Sequence, residues 1–447
     1  MTASPSPSAA RLPRDVIANR TQAHNTASNG PAVLDASSIG QYHGEQNLSR
    51  PRLAAPSNYD LIILSSFGGP EGQEDVIPFL RRVTAGRGIP DNRLEEVATH
   101  YRARGGVSPI NAQNRALLAA LEESLKERGP HIPITWANRN WKPFIKDVLE
   151  EAYQQGARKI LVLATSAYPG YSSCRQYRED YALALEQLGL SGKVQVDKVR
   201  QHFDAPGFIE AFVDGLSQGL VQVRQQLAQL SRPAAGNKRI RILFCTHSVP
   251  TSAANEAGPR GVDYEGGSAY VEKHLQVARA VLAQLAEQDP DLLDQTDWQL
   301  VYQSRSGPPS MPWLEPDVND AIEALAGQVD GIVLVPLGFV SDHMEVQWDL
   351  DTEALATCQK LGICAVRTPT PGTHPAYVES LRALLAQRVS GSQQSAALQA
   401  PLDGHREGNC MSKPWFDDCS PDCCLAAARV KPTIATYEGS DYRAGGR

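Results

Sequence analysis

Four short apolar runs punctuate the chain, and each runs into turn-forming or chemically active residues. Residues 59–67 (YDLIILSSF) lead into Gly68-Gly69-Pro70, and the pattern recurs at 159–164 (KILVLA), 240–245 (IRILFC) and 331–336 (GIVLVP). Runs this short, without polar alternation, predict strands buried on both faces. Between them, residues 116–128 and 271–287 read as helices. Strands alternating with helices predict an α/β fold whose parallel sheets are covered on both sides. Ligands in such folds bind beyond the carboxyl ends of the strands. Chemistry is therefore expected at residues 65–70, 165–177, 246–250 and 336–345.

Residues 1–57 are rich in Ser, Ala, Pro and Asn and hold few large apolar side chains, so they are expected to form a disordered extension. Arg11, Arg14 and Arg20 lie in an acid-poor start that lacks the apolar face of a transit peptide and the apolar core of a secretory signal. No run approaches the ~18 apolar residues of a membrane span, which predicts a soluble, cytoplasmic protein. A Pro/Gly loop at 232–236 precedes the third run, and a Ser/Gln-rich stretch at 389–400 separates the body from a cysteine-bearing tail. At 447 residues the chain exceeds a single ordinary core. Its 42% apolar and 21% charged residues are usual for globular proteins and select no function. A net charge of -7 and an isoelectric point near 5.8 argue against nucleic acid as a partner.

Two segments concentrate candidate chemistry. Thr246-His247-Ser248-Val249-Pro250 places an imidazole at a strand end, where it can accept a proton or offer nitrogen to a metal, or simply bond the following turn. Gly338-Phe339-Val340-Ser341-Asp342-His343-Met344-Glu345 crowds three ionisable groups before a predicted helix. Asp342 suits a helix cap and His343 its support. Glu345 is the carboxylate best placed to share a pocket with His247, and together the two can handle a divalent cation and take up protons.

Of eight cysteines, Cys174, Cys410, Cys419, Cys423 and Cys424 offer five thiols for four places. In a reducing compartment they read as a metal site, zinc and iron-sulfur being chemically equal rivals, or as free thiols. Cys245, Cys358 and Cys364 read as small buried apolar residues.

The two segments resemble the signature motifs of the ferrochelatase family. Ser66-Phe67-Gly68-Gly69-Pro70, Arg104-Gly105-Gly106-Val107-Ser108-Pro109, Asn138-Arg139-Asn140-Trp141 and Gln303-Ser304-Arg305 resemble it in the same order, over roughly residues 58–385. The resemblance implies a chelatase-like α/β fold: two similar Rossmann-like domains with parallel four-stranded sheets flanked by helices, and a porphyrin cleft between them. It assigns 58–200 plus 365–390 to the first domain, 201–364 to the second, and 391–447 to a linker and tail. It also implies that His247 and Glu345 handle iron(II), the metal substrate, while the macrocycle is distorted toward its transition state. Ser108 and Tyr177 match positions that contact the porphyrin or its propionates. Arg82 or Arg102 could pair with its carboxylates or remain solvated. Phe67 stands where some members carry a tyrosine able to face the metal.

Some members hold a [2Fe-2S] cluster with one body cysteine and three from a tail. The matching set here is Cys174, Cys410 and Cys419 with either Cys423 or Cys424. Such a cluster would tie the tail to the body and contribute to folding. Phe67 and the tail together resemble actinobacterial members, which implies coproporphyrin III as substrate in haem biosynthesis, a lyase-class reaction, and a transfer partner for the product. Three alternatives stay open: protoporphyrin IX as substrate, cobalt or nickel loaded into a more reduced tetrapyrrole, and a porphyrin or haem carrier without turnover.

Overall fold

The computed structural model describes residues 56–86, 88–229, 239–259, 266–307, 310–389, 415–425 and 431–436, with Ala54, Tyr264 and a two-residue strand at 10–11. Nine strands form two sheets among these residues: β1 (Ala10–Arg11), β2 (Leu61–Ser66), β3 (Ile134–Asn138), β4 (Lys159–Ala164), β5 (Gln195–Lys198), β6 (Ile240–His247), β7 (Thr296–Gln303), β8 (Gly331–Val335) and β9 (Cys364–Arg367). The first sheet runs β3-β2-β4-β5, entirely parallel. The second runs β7-β6-β8-β9, also parallel, with β1 antiparallel on the β7 edge. Numbered within each half, both parallel sheets have the order second, first, third, fourth. The two halves therefore share one topology, and each has its switch point between its first and third strands, where doubly wound sheets open a crevice.

The four apolar runs became β2, β4, β6 and β8, the first and third strands of each half, and their side chains are almost completely buried. Helices cover both faces. Ile110–Arg128 buries Leu117, Leu121 and Leu125, and Ala269–Gln288 is capped by Ser268, whose side chain accepts from the Val271 amide. The long helix Pro206–Gln229 meets Pro375–Arg388 where Gly207 lacks a side chain: a Cβ there would lie 1.8 Å from the Ala376 carbonyl oxygen.

One continuous apolar cluster joins the halves, from Ile62 and Leu64 through Phe208 and Phe244 to Tyr377 and Leu384. The domain boundary drawn at 364/365 needs correction. β9 pairs with β8 through residue 367, because its backbone completes the second sheet. The chain returns to the first half only with Pro375–Arg388, where Arg382 donates to the Gly129 carbonyl at 3.0 Å and Val389 bridges Ser57. Among the described residues no helix is long and apolar enough to cross a membrane.

Candidate functional site

His247 is the last residue of β6, and the loop 336–343 leaves the neighbouring β8. Gly338 lets that loop lie against the end of β6: a Cβ would fall 2.2 Å from Thr246 Oγ1, and the Gly338 amide donates to the Cys245 carbonyl at 3.1 Å. This close approach carries Glu345 to His247. His247 Nε2 lies 3.4 Å from Glu345 Oε2, with the two side chains 35% and 50% exposed, so the pair is reachable from the crevice. His343 Nδ1 lies 3.8 Å from the same oxygen.

His247 Nδ1 is hydrogen-bonded to the Ser248 carbonyl. A carbonyl only accepts, so Nδ1 carries the proton and Nε2 presents its lone pair when the ring is neutral. Burial opposes charge on His247, but the Glu345 carboxylate and the Ser248 carbonyl outweigh it and raise the imidazole pKa. Burial would likewise push Glu345 up, yet His247 and His343 bring it down to about 2. Burial lowers His343, against the pull of Glu345. The site thus has a carboxylate kept ionised for a cation and a base beside it.

Past Glu345 the helix widens into a π-helical stretch, Gln347–Ala354. Asp349 is anchored there by Gln303 Nε2 at 3.2 Å and by the Ser304 hydroxyl, while the same amide donates to the Glu345 carbonyl at 3.2 Å. Gln303 is the register partner of His247. Burial, reinforced by Glu345 and opposed by Ser304, takes Asp349 up to about 7.

That value lies above the ~3.9 of an unfolded aspartate. The protonated carboxyl therefore contributes fully to stability only below about pH 4, and the contribution is lost as pH rises through about 7. Asp349→Asn cannot ionise, so its stability advantage over wild type should widen between those two values and then level off. Thermal midpoints of both proteins across this range check it; an advantage that shrinks with pH would reject the assignment.

The first half supplies the facing wall. Phe67, 36% exposed, follows β2, and its ring meets Phe79 at 6.4 Å. Phe79 also packs on Tyr101 and Trp141 at 6.1 Å each, in a cluster that includes Met344 from the second half. Burial and the charge of Glu345 both raise the Tyr101 phenol, which places it on the side of the His247–Glu345 pair. Ser108 is buried, its amide donating to the Pro70 carbonyl at 2.9 Å. Tyr177 is buried beneath the Arg139 guanidinium, 4.7 Å from its ring centre.

At the lip of the crevice Arg104 crosses to the π-helical stretch, donating to Thr352 Oγ1 at 2.9 Å and the Gln347 carbonyl at 3.2 Å. His100 stacks on Trp348 beside it, ring centres 4.1 Å apart. Arg82 lies over the Phe144 ring at 4.1 Å, and Arg102 pairs with Glu95 at 2.7 Å with both side chains largely exposed, an arrangement worth little to stability. Asp342 does not cap the following helix. Its carboxylate accepts from Arg367 at 3.1 Å and from Thr370 at 3.1 Å, because the β9 side chains lie directly under the loop. The sequence reading assigned no role to Tyr101 or Asp349; the spacing of Asp349 four residues after Glu345 was the available signal for the latter.

The thiols assemble where the tail meets the turn that follows β4. Cys174 lies in a wide turn, Tyr171–Arg175, after β4. Cys174, Cys419, Cys423 and Cys424 are buried and line one small cavity with Arg175, Arg178, Thr433 and Thr436. They form a row: Cys174 beside Cys419, Cys419 beside Cys423, and Cys423 3.6 Å from Cys424, sulfur to sulfur. Hydrogen bonds from Cys174 and Cys423 hold the Cys419 thiol well below its usual range, against burial and with help from Arg178 and Lys198. Among the described residues no three His, Cys, Asp or Glu groups close around a single point as they would around a bound ion.

The tail is held by Arg175, which donates to the Pro421 and Cys423 carbonyls at 2.7 and 2.9 Å, and by Arg178, which donates to the Asp417 carbonyl at 2.8 Å. Gly258 of the second half donates its amide to Cys424 Sγ at 3.1 Å. Cys410 lies outside the described residues. Cys245 and Cys358 are fully buried in β6 and in the helix Leu355–Leu361, and Cys364 opens β9.

The chain is similar to several known proteins. A protein named coproporphyrin III ferrochelatase from Leifsonia xyli subsp. xyli is 52% identical over 387 residues, covering 85% of this chain and 95% of its own. One of the same name from Streptomyces griseus subsp. griseus is 46% identical, covering 86% and 97%. A ferrochelatase of Rhodopirellula baltica is 42% identical, covering 84% and 95%. Among solved structures, SirB from Bacillus subtilis with Fe3+ aligns at a TM-score of 0.41 and 12% identity over 75% of this chain and 98% of that one. The sequence model of the family described as Ferrochelatase matches residues 60–389, the span that carries all the parallel strands and the His247–Glu345 pair, and the chain belongs to the ferrochelatase family.

Proposed function

We propose that the chain inserts iron(II) into coproporphyrin III, with His247 and Glu345 as the metal- and proton-handling pair. The observation that carries this is the 3.4 Å approach of Nε2 to the Glu345 carboxylate at the switch point of the second half. Glu345, ionised across the working range, receives the cation. Its charge is also what holds a proton on His247. A cation on the carboxylate cancels that support, and burial then favours loss of the Nε2 proton to solvent; the neutral imidazole takes the two pyrrole protons one at a time, passing the first to water before it accepts the second. Phe67 has no hydroxyl for the metal, so the wall opposite the pair contributes shape and apolar contact. Ser108 and Tyr177 belong to the porphyrin-binding wall in this reading.

Coproporphyrin III is favoured by the names of the relatives at 46% and 52% identity. Anaerobic incubation with iron(II), following the porphyrin absorption bands, tests it with protoporphyrin IX and Glu345→Ala run in parallel. Rapid conversion of coproporphyrin III that the variant loses is the expected result. Faster conversion of protoporphyrin IX overturns the substrate, and porphyrin binding without insertion overturns the reaction in favour of a carrier.

The thiols fit an iron-sulfur cluster in this proposal. Cys174, Cys419, Cys423 and Cys424 would hold it, with Cys410 left out of the earlier set because the four described thiols already share one cavity. The 3.6 Å between Cys423 and Cys424 matches the ~3.8 Å expected of two thiolates on one tetrahedral metal with bonds of about 2.3 Å. A row of four suits two metal centres, each taking a pair, better than one zinc that needs four sulfurs around a point. Arg175 Nη2 and Arg178 Nε, buried at the cavity, have no hydrogen-bond partner; the negative charge of thiolates and sulfide would satisfy them. Bound there, a [2Fe-2S] cluster would supply cross-linking and one-electron chemistry. Iron and acid-labile sulfide analysis of the purified protein separates it from zinc.

A further inference from the structure

We propose that Tyr270 and His274 are positioning residues that fix the end of β6 and thereby aim His247 at its proton donor. They stand four residues apart on the helix Ala269–Gln288, so they present one face. The Tyr270 hydroxyl donates to the His247 carbonyl at 2.8 Å. Thr246, the residue before, lies 2.8 Å from His274 Nε2. The His247 carbonyl and the side chain of the residue before it are thus tethered to one helix.

The protons in this hub have one arrangement. His274 Nδ1 is 2.7 Å from the Tyr270 carbonyl, an acceptor only, so the ring proton is on Nδ1 and Nε2 accepts from the Thr246 hydroxyl. Burial takes His274 down to about 3, which keeps it neutral at physiological pH. The single Tyr270 proton goes to the His247 carbonyl, with Thr246 Oγ1 3.2 Å away.

The same hub reaches the other member of the pair. Tyr168, from the loop after β4, stacks on His274 with ring centres 3.6 Å apart, and its hydroxyl donates to the Leu337 carbonyl at 3.1 Å. Leu337 adjoins Gly338, the residue whose missing side chain admits Thr246. Tyr168, Thr246, Tyr270 and His274 are all buried. Buried polar groups must be satisfied, and satisfied networks hold one geometry. This one spends its hydrogen bonds on the two segments that bring His247 and Glu345 together.

The inference rests on His247 as the proton acceptor. Its test compares full-length wild type, Tyr270→Phe, Thr246→Val, Thr246→Ser and His247→Ala in anaerobic iron insertion, using whichever of coproporphyrin III and protoporphyrin IX wild type converts faster. Porphyrin KM and thermal midpoint are measured alongside. Small misplacements of reacting groups cost up to about a hundredfold, and loss of one tether is expected to lower kcat about tenfold in Tyr270→Phe and Thr246→Val. KM should stay near wild type, the thermal midpoint should fall because each change leaves a buried acceptor without its donor, and Thr246→Ser, which keeps the hydroxyl, should restore both the rate and the midpoint.

The proposal is overturned if Tyr270→Phe retains kcat within about twofold. It is equally overturned if kcat falls only together with a raised KM, the pattern of a merely structural role, or if Thr246→Ser leaves the rate as low as Thr246→Val. Wild-type insertion by His247→Ala would instead sink the assignment of the base, a separate result.

Discussion

His247→Ala is expected to slow iron insertion by about a hundredfold to ten-thousandfold, the range for removing a positioned general base, while leaving porphyrin affinity near wild type. The split follows from the geometry. Apolar and aromatic contacts from the first half, around Phe67, Phe79 and Trp141, contribute to binding before and during reaction alike. In the proposed reaction the proton-accepting role of His247 is called on only when the pyrrole nitrogens release protons. Removing an interaction confined to the transition state lowers kcat and leaves KM nearly unchanged. Insertion rates from porphyrin absorbance, with affinity from fluorescence quenching, check both halves of the statement. A parallel loss of affinity would mean that the ring contacts the macrocycle as a packing group, and an unchanged rate would remove it from the chemistry.

The second large effect is expected from Cys419→Ser. Cys419 is the middle of the thiol row, touching Cys174 on the body and Cys423 on the tail. If the thiols hold the proposed cluster, losing Cys419 should abolish the cluster's visible absorption and lower the thermal midpoint, because metal binding and folding share one free energy. Tail residues Trp415 and Phe416 belong to the main core, so their release would expose apolar surface as well. About 1.5–3 kcal/mol attends the exposure of each such side chain. The check is absorption and iron content beside thermal unfolding, together with limited proteolysis of the segment around residue 420. A variant that keeps its iron and its thermal midpoint would show that the four thiols are not the ligands. Cys410→Ser is the companion measurement, and retention of the cluster there is the expected result.

The central strands of this protein were readable from the chain alone. β2, β4, β6 and β8 are buried on both faces, so their residues had to be continuously apolar, and the run at 159–164 coincided with β4. The residues that follow them, His247 and Glu345 above all, were likewise visible as chemistry at strand ends. Outer strands left no such trace. β5 alternates exposed and buried residues at a sheet edge, and β7 carries Asp297 and Gln299 among its apolar positions. The helix read from Ala116 in fact begins at Ile110. Polar residues on its buried face concealed the start: Asn111 donates to the Gly69 carbonyl at 2.9 Å and Asn114 to Ser66 Oγ at 2.6 Å, and those partners lie more than forty residues away.

What the sequence determined by itself was therefore the α/β alternation, the strand-end chemistry and the inventory of thiols, all of which depend on local pattern. Tertiary structure alone decided which groups meet. It brought Asp349 to Ser304, Tyr101 to the cluster that holds Met344, Tyr270 to the His247 carbonyl, and three tail cysteines to the cavity of Cys174. Each pairing joins segments far apart in the chain through the crossing of helices and sheets, and a pattern with a period of two or 3.6 residues carries no information about distances of that kind.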